Sequence, residues 1–426
     1  MTQTPFRSSF IDRGFFISIC IFVSVLPIRP PFLHNIQAYA LILFLIFALL
    51  KIFVNKDFNI KRKIPEVLLL SGLFLWWTFT LFYTENLSLG AKYLETKLGL
   101  ILIPFFMITT SDKKSLNINR ILLIYAGSVS FFMLVSYISI LFQNYEYNKF
   151  DHVVWVFFLY HSLVRFIGMH AVYMSIQVAF AFLIVLNYFT ANHHNLKLKV
   201  IQIVWMSFLL ICIVCLTVKM VALGFLISTI AFLIFRLQYK NAILISTSIF
   251  VGLILIITHF SDQNWFRERM DFSTEALNKK YSESPQNLDG SWGSVNLRFA
   301  LAKNALEVIS EHPIFGKGIG DGKEARLIKY EENSFYYALN EEYNEHNQYL
   351  NILLTSGLIG LGIFLLMIIV QTLNSIQNND PLFLSFIILI SISFLAENYL
   401  SRLHGVSFFA IFHSLLWMRN KTILSK

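Results

Sequence analysis

Few residues in this chain are equipped for chemistry, and most of them lie between 294 and 361 or flank that stretch. Arg298, in SVNLRFALAKNALEVISEH, carries a guanidinium that stays charged at any biological pH and can hold a diphosphate through two parallel hydrogen bonds. The same group also serves as an anchor on ordinary lipid headgroups, and its spacing leaves both readings open. His346 opens an apolar run in NEHNQYL. An imidazole titrates near neutrality and can take a hydroxyl proton during group transfer; the plainer reading is an interfacial histidine bonded to its own loop. Lys219, in LTVKMVALGF, sits between two apolar runs with almost no loop around it, either as an interface anchor or as a ligand for an anion.

Other groups are weaker signals. Gly316, Gly318, Gly320 and Gly322 punctuate GKGIGDG, where backbone N–H groups could approach phosphate oxygens. The stretch matches neither a P-loop nor a strand-turn-helix nucleotide fingerprint, and such punctuation more often makes a turn. Glu397, Arg402 and His404 gather in FLAENYLSRLHG, where a Glu–Arg pair closing two helices competes with a supporting role at a site. Cys212 and Cys215 form a C-x-x-C inside an apolar run, without nearby His or acidic ligands, and read as small apolar residues. There is no D-x-D and no H-x-x-x-H with convergent acids, so no metal site and no cofactor are expected.

The elements that must position these groups are membrane helices. The chain is 56% hydrophobic and only 14% charged, with 43 Phe among 426 residues, far from soluble globular composition. Runs able to cross about 30 Å of hydrocarbon fall near 14–28, 36–54, 65–83, 97–110, 119–142, 168–189, 199–216, 219–236, 241–260, 348–372, 381–397 and 403–418. The expected fold is an all-α polytopic membrane protein of about twelve transmembrane helices. Apolarity that does not alternate argues against a barrel. The net charge of +9 is dispersed in short blocks between the runs, which speaks for membrane orientation and against nucleic-acid binding.

Those blocks orient the chain. With the N-terminus inside, 17 Lys and Arg fall in cytoplasmic segments and 7 in the short outer connectors. Both termini are therefore expected in the cytoplasm. The long loop 261–346, Lys219, the connector 143–170 and the hairpin 398–402 then open on the outer side together. Within the loop, a short helix is expected around Trp265–Met270. Over 294–310, Leu297, Leu301, Ala305 and Ile309 recur at helical spacing, with Ser294 as N-cap and His312-Pro313 as terminator. That amphipathic helix is expected to lie on the membrane surface, holding Arg298 at phosphate height. Residues 153–167 and 86–97 read as interfacial pieces, the latter with Lys92 and Lys97 beside Glu95.

Taken together, NLRFALAKNALEVISEHPIFGKGIGDG…NEHNQYLNILLTSGLIGLGIF resembles the shared domain of the O-antigen ligase and O-antigen polymerase superfamily: an Arg-bearing amphipathic helix, a glycine turn, then H-N-x-x-L and G-h-h-G-h. The resemblance divides the chain into N-terminal helices at 1–216, a core at 217–361 and C-terminal helices at 362–426. It implies a bacterial inner-membrane glycosyltransferase. The donor would be a glycan on polyprenyl diphosphate, taken up at the periplasmic face, and the acceptor lipid A–core for a ligase or another glycan for a polymerase. It implies metal-independent, inverting transfer, with His346 activating the acceptor and Arg298 on the diphosphate. Lys219 stands where the family often has T-x-S-R-G, keeping the charge without the bidentate fork. Arg165, in VRFIG, stands near another family arginine. Glu397, Arg402 and Asn347 are expected to support the site. Ligase is the preferred reading and polymerase the alternative; a transporter or flippase would place its charges near the bilayer midplane instead.

Overall fold

Long apolar runs in lipid have no solvent for their backbone groups, so each run closes its hydrogen bonds internally as a helix. The computed structural model describes residues 5–30, 33, 35–54, 60–110, 116–146, 158–191, 196–236 and 294–420. Among the described residues the protein is all-helical, with no strand. In chain order the helices are α1 (Pro5–Val25), α2 (Ile36–Val54), α3 (Ile60–Thr80), α4 (Leu87–Lys97), α5 (Gly99–Thr110), α6 (Ile118–Glu146), α7 (Tyr160–Val164) and α8 (Ala171–Ala191). They continue as α9 (Leu196–Leu216), α10 (Lys219–Arg236), α11 (Ser294–Glu311), α12 (Gly322–Glu332), α13 (Tyr336–Asn340), α14 (Gln348–Gln377), α15 (Pro381–Ser393) and α16 (Leu403–Arg419).

Seven stretches of the described residues are long and apolar enough to cross a membrane: 36–54, 87–110, 118–142, 171–191, 196–216, 219–236 and 348–377. The protein is a multi-pass membrane protein. The expected count of about twelve is thus met only in part. Helices do stand near 14–28, 65–83, 381–397 and 403–418, but α1 and α3 carry charges in their first turns, and α15 and α16 span 13 and 17 residues. The expected run at 241–260 and the helix around Trp265–Met270 lie outside the described residues, as does most of 153–167 apart from α7. The expected span at 97–110 continues α4 across a bend at Leu98.

Helices α8 and α16 are apolar on every side and are buried almost throughout, which makes them the centre of the bundle. Around them α2 and α9 turn Ile42, Ile46, Ile203 and Val204 outward, as lipid-facing helices do. Polar side chains inside the bundle finish backbone that would otherwise be orphaned. Gln37 and Gln177 both donate to Leu26 O, at 3.0 and 3.2 Å, closing the C-terminal end of α1.

Contacts sort the chain into two ends. At one, Trp417 donates to Glu66, Arg419 faces Asp380, and Arg236 reaches Thr190. At the other, Arg29 N–H donates to Ile167 O, Asp321 receives Glu85 N–H and Asn86 N–H, and segment 344–348 binds segment 394–400. The second end carries every candidate group of the sequence analysis that lies between 294 and 361.

The glycine stretch is built as a lock between two broken pieces of backbone. Helix α14 is interrupted at Gly357, whose φ of 62° is open to glycine at no cost. Lys317 N–H and Gly318 N–H donate to Leu354 O and Thr355 O at 2.9 and 3.1 Å, and Leu358 N–H donates back to Pro313 O at 2.9 Å. Gly318, at φ 93°, lies so close that a Cβ there would stand 2.3 Å from Thr84 Oγ1. Trp76 and Trp77 complete the joint, donating to Ser356 O and Thr355 Oγ1 at 3.0 and 3.1 Å. The turn reading therefore prevails over phosphate cradling, because two of the donors needed for a phosphate are already bound to α14.

Candidate functional site

Helix α11 carries Arg298. Its apolar stripe packs Leu301 and Leu297 with Tyr330, Phe335 and Ala338, and packs Ala305 and Ile309 with Leu350, Leu353 and Leu354. Helices α12 and α14 cover the stripe, so its apolar residues are buried against protein. Arg298 stays half-buried at the edge of the packed face. Tyr343 belongs to the cluster that holds Leu297, and its ring centroid lies 6.0 Å from that of His346. Arg298 and His346 thus border the same small core, without a hydrogen bond between them.

His346 adopts φ 45°, a left-handed conformation that is uncommon for histidine and is maintained only when the surroundings over-determine it. Several contacts do so. His346 N–H donates to Asn344 Oδ1 at 2.9 Å. Asn347 N–H donates to Asn398 Oδ1 at 2.9 Å, and the Asn347 side chain caps α14 by accepting from Tyr349 N–H and Leu350 N–H. Gln348 N–H donates to Phe394 O, and Leu400 N–H to Gln348 Oε1, both at 2.8 Å. Asn347 is accordingly a cap and a stitch between two segments.

Below this joint lies a buried ion pair. Glu345 Oε1 stands 2.5 Å from Arg326 Nη1 of α12, and Glu345 Oε2 accepts from Asn398 Nδ2 at 2.7 Å and Asn351 Nδ2 at 3.3 Å. Burial alone would raise the Glu345 carboxyl, but the Arg326 charge and the Asn398 hydrogen bond outweigh it and hold the group below its ordinary range.

Glu397 faces His346, with Nδ1 and Oε2 3.4 Å apart. The expected Glu397–Arg402 pair is therefore replaced by Glu397–His346, because the 394–402 hairpin turns its acid toward α14. Arg402 instead lies over the Tyr173 ring, 5.9 Å from its centroid. Burial favours a raised Glu397 carboxyl; the hydrogen bond from His346 and the charges of His346, His170 and Arg402 reverse the shift and hold it low. A carboxylate on Nδ1 assigns the proton to that nitrogen and leaves Nε2 as the basic one. The His346 side chain keeps 26% of its surface accessible, whereas that of Glu397 keeps 8%.

His170 and His161 complete the neighbourhood, their ring centroids 4.2 Å apart at the start of α8. Burial first, then the adjacent His161, push His170 down to about 4. Sequence reasoning missed His161, His170, Glu345, Arg326 and Asn398. Two of these are chain neighbours of residues already singled out, and the two histidines fall in a connector already assigned to the outer side.

Lys219 begins α10 and is half-buried. Arg165 is exposed at the end of α7, next to the turn that binds Arg29.

Residues 203–365 match the family model described as O-antigen ligase. The chain carries a domain of the O-antigen ligase superfamily. A search of curated proteins finds no match. The O-antigen ligase domain takes in Lys219, Arg298, His346 and Asn347, and leaves Arg165, Glu397 and Arg402 outside it. Members of this family are glycosyltransferase-like membrane enzymes. The acid facing His346 thus comes from beyond the matched segment.

Proposed function

We propose that this protein transfers a glycan from polyprenyl diphosphate to lipid A–core at the periplasmic face of the bacterial inner membrane. The observation that carries the reading is His346, held in a left-handed conformation with Nδ1 against buried Glu397 and its ring still accessible. An acceptor hydroxyl oxygen attacks the anomeric carbon, its proton passes to His346 Nε2, and the bond from that carbon to the phosphate oxygen breaks. The diphosphate departs with the electron pair, and the configuration inverts. Arg298 takes the leaving-group charge through a bidentate contact, with Lys219, Arg165 and Arg402 as further cations; the reading gives no step to a metal. Glu397 orients the base, and Asn347 fixes the helix that presents it.

The test uses purified protein with lipid-linked donor and lipid A–core acceptor in excess chelator. His346→Ala should lose about 10²- to 10⁴-fold in rate while donor affinity stays within a few-fold. His346→Gln retains hydrogen bonding without basicity and should be equally slow; wild-type turnover by that variant would remove the base assignment. Product built on lipid-linked glycan rather than on lipid A–core would reassign the chain as a polymerase.

A further inference from the structure

Among the described residues, the buried Lys and Arg side chains meet a carboxylate, Lys97 excepted. Lys51, 5% exposed, meets Asp12 at 2.7 Å, and Arg326, also 5% exposed, meets Glu345 at 2.5 Å. Lys97 is likewise 5% exposed, yet no carboxylate and no hydrogen-bond acceptor among the described residues meets its ammonium. Its surroundings are two aromatic faces, with Nζ 5.1 Å from the Trp77 ring centroid and 5.9 Å from that of Tyr93. Aromatic faces attract a cation, but they leave three N–H donors without a conventional acceptor.

This inward position is a property of α4. Gly90, Leu94 and Lys97 share one helical face and are buried, whereas Lys92 and Glu95 on the opposite face are exposed. An interfacial helix ordinarily places its lysines on the polar side. Here the last lysine replaces an apolar residue on the packed side. The start of α4 is tied to the glycine turn, where Asp321 accepts from Glu85 N–H and Asn86 N–H at 2.8 and 2.9 Å. The rest of α4 packs on α3, on α16 and on the turn Tyr399–Ser401 that follows Glu397. Lys97 therefore lies at the site end of the bundle, beside the hairpin that bears Glu397.

A buried ammonium lacking an anion is strongly unfavourable, and a scaffold without use for it would carry Met or Leu at the same volume. We infer that Lys97 is a ligand for the phosphate of a lipid headgroup, which supplies the missing anion when it binds. The inference rests on the transferase reading for the identity of that lipid, either the polyprenyl diphosphate of the donor or a phosphate on the acceptor lipid. It does not need turnover to be observed.

The full chain in detergent, without substrate, is compared as wild type, Lys97→Met and Lys97→Arg. Removing an uncompensated buried charge should leave Lys97→Met melting at or above the wild-type temperature. Polyprenyl diphosphate without glycan is then titrated as a thermal-shift ligand, followed by lipid A. Lys97→Met should bind one of the two about 10- to 100-fold more weakly, as expected for a lost charge-assisted contact. Lys97→Arg should recover part of that loss. Weakened polyprenyl diphosphate assigns the donor, and weakened lipid A the acceptor. Unchanged affinity for both, or Lys97→Met melting well below wild type, overturns the inference. If binding weakens in a protein that transfers no glycan, the transferase reading fails while the anion site stands.

Discussion

Breaking the Arg326–Glu345 pair should cost more than any surface change in this protein. The two side chains are 6% and 0% exposed, so neither charge can turn to water when its partner is removed. Removing one member of such a pair typically costs about 3–5 kcal/mol. Glu345→Gln belongs at the upper end of that range, because it leaves the guanidinium buried without an anion. Arg326→Met belongs near the lower end, since Asn398 and Asn351 still donate to Glu345 and the carboxyl can accept a proton once the opposing charge is gone. The double variant removes both charges and should lose much less than the sum, with a coupling energy of about 2–3 kcal/mol. Unfolding of the four proteins in mixed micelles, read as a double-mutant cycle, measures it. Each single variant should also slow transfer, because the pair anchors the residue preceding His346 and so helps hold its left-handed backbone. Losses that add to within about 0.5 kcal/mol, or single losses below about 1 kcal/mol, would refute the reasoning.

Two other outcomes are expected. Arg298→Ala should abolish transfer with little change in membrane insertion or melting temperature, and Arg298→Lys should recover part at most, because an ammonium lacks the guanidinium fork; full activity in the alanine variant would reduce Arg298 to a headgroup anchor. His170 is depressed from 6.5 to about 4, so the folded state resists its protonation: its stability contribution is intact above 6.5 and is lost as pH falls from there toward 4. The linkage relation puts the loss on the order of 2 kcal/mol at pH 5, and His170→Asn should flatten the fall in melting temperature between pH 7 and 5; equal slopes in the two proteins would contradict it.

Local features were fixed by the sequence alone. Leu297, Leu301, Ala305 and Ile309 recur at helical spacing, and α11 follows, ending before His312-Pro313. Gly316 and Gly318 announced a turn, and a turn is there. The apolar runs of span length among the described residues became helices, since the backbone in lipid has no alternative. A short-range pattern cannot say what covers a helix or which acid meets which base. The α11 stripe would bury equally well in lipid or on α14, and only packing chose α14. Glu397 lies 51 residues from His346, with Arg402 far nearer in sequence, yet the hairpin geometry gave the acid to the histidine. Lys97 sits two residues from exposed Glu95, and the rotation of α4 alone decided that it points inward. Periodicity follows from backbone geometry within a helix, whereas partners for buried charges depend on how distant helices meet, and that is decided only when the bundle closes.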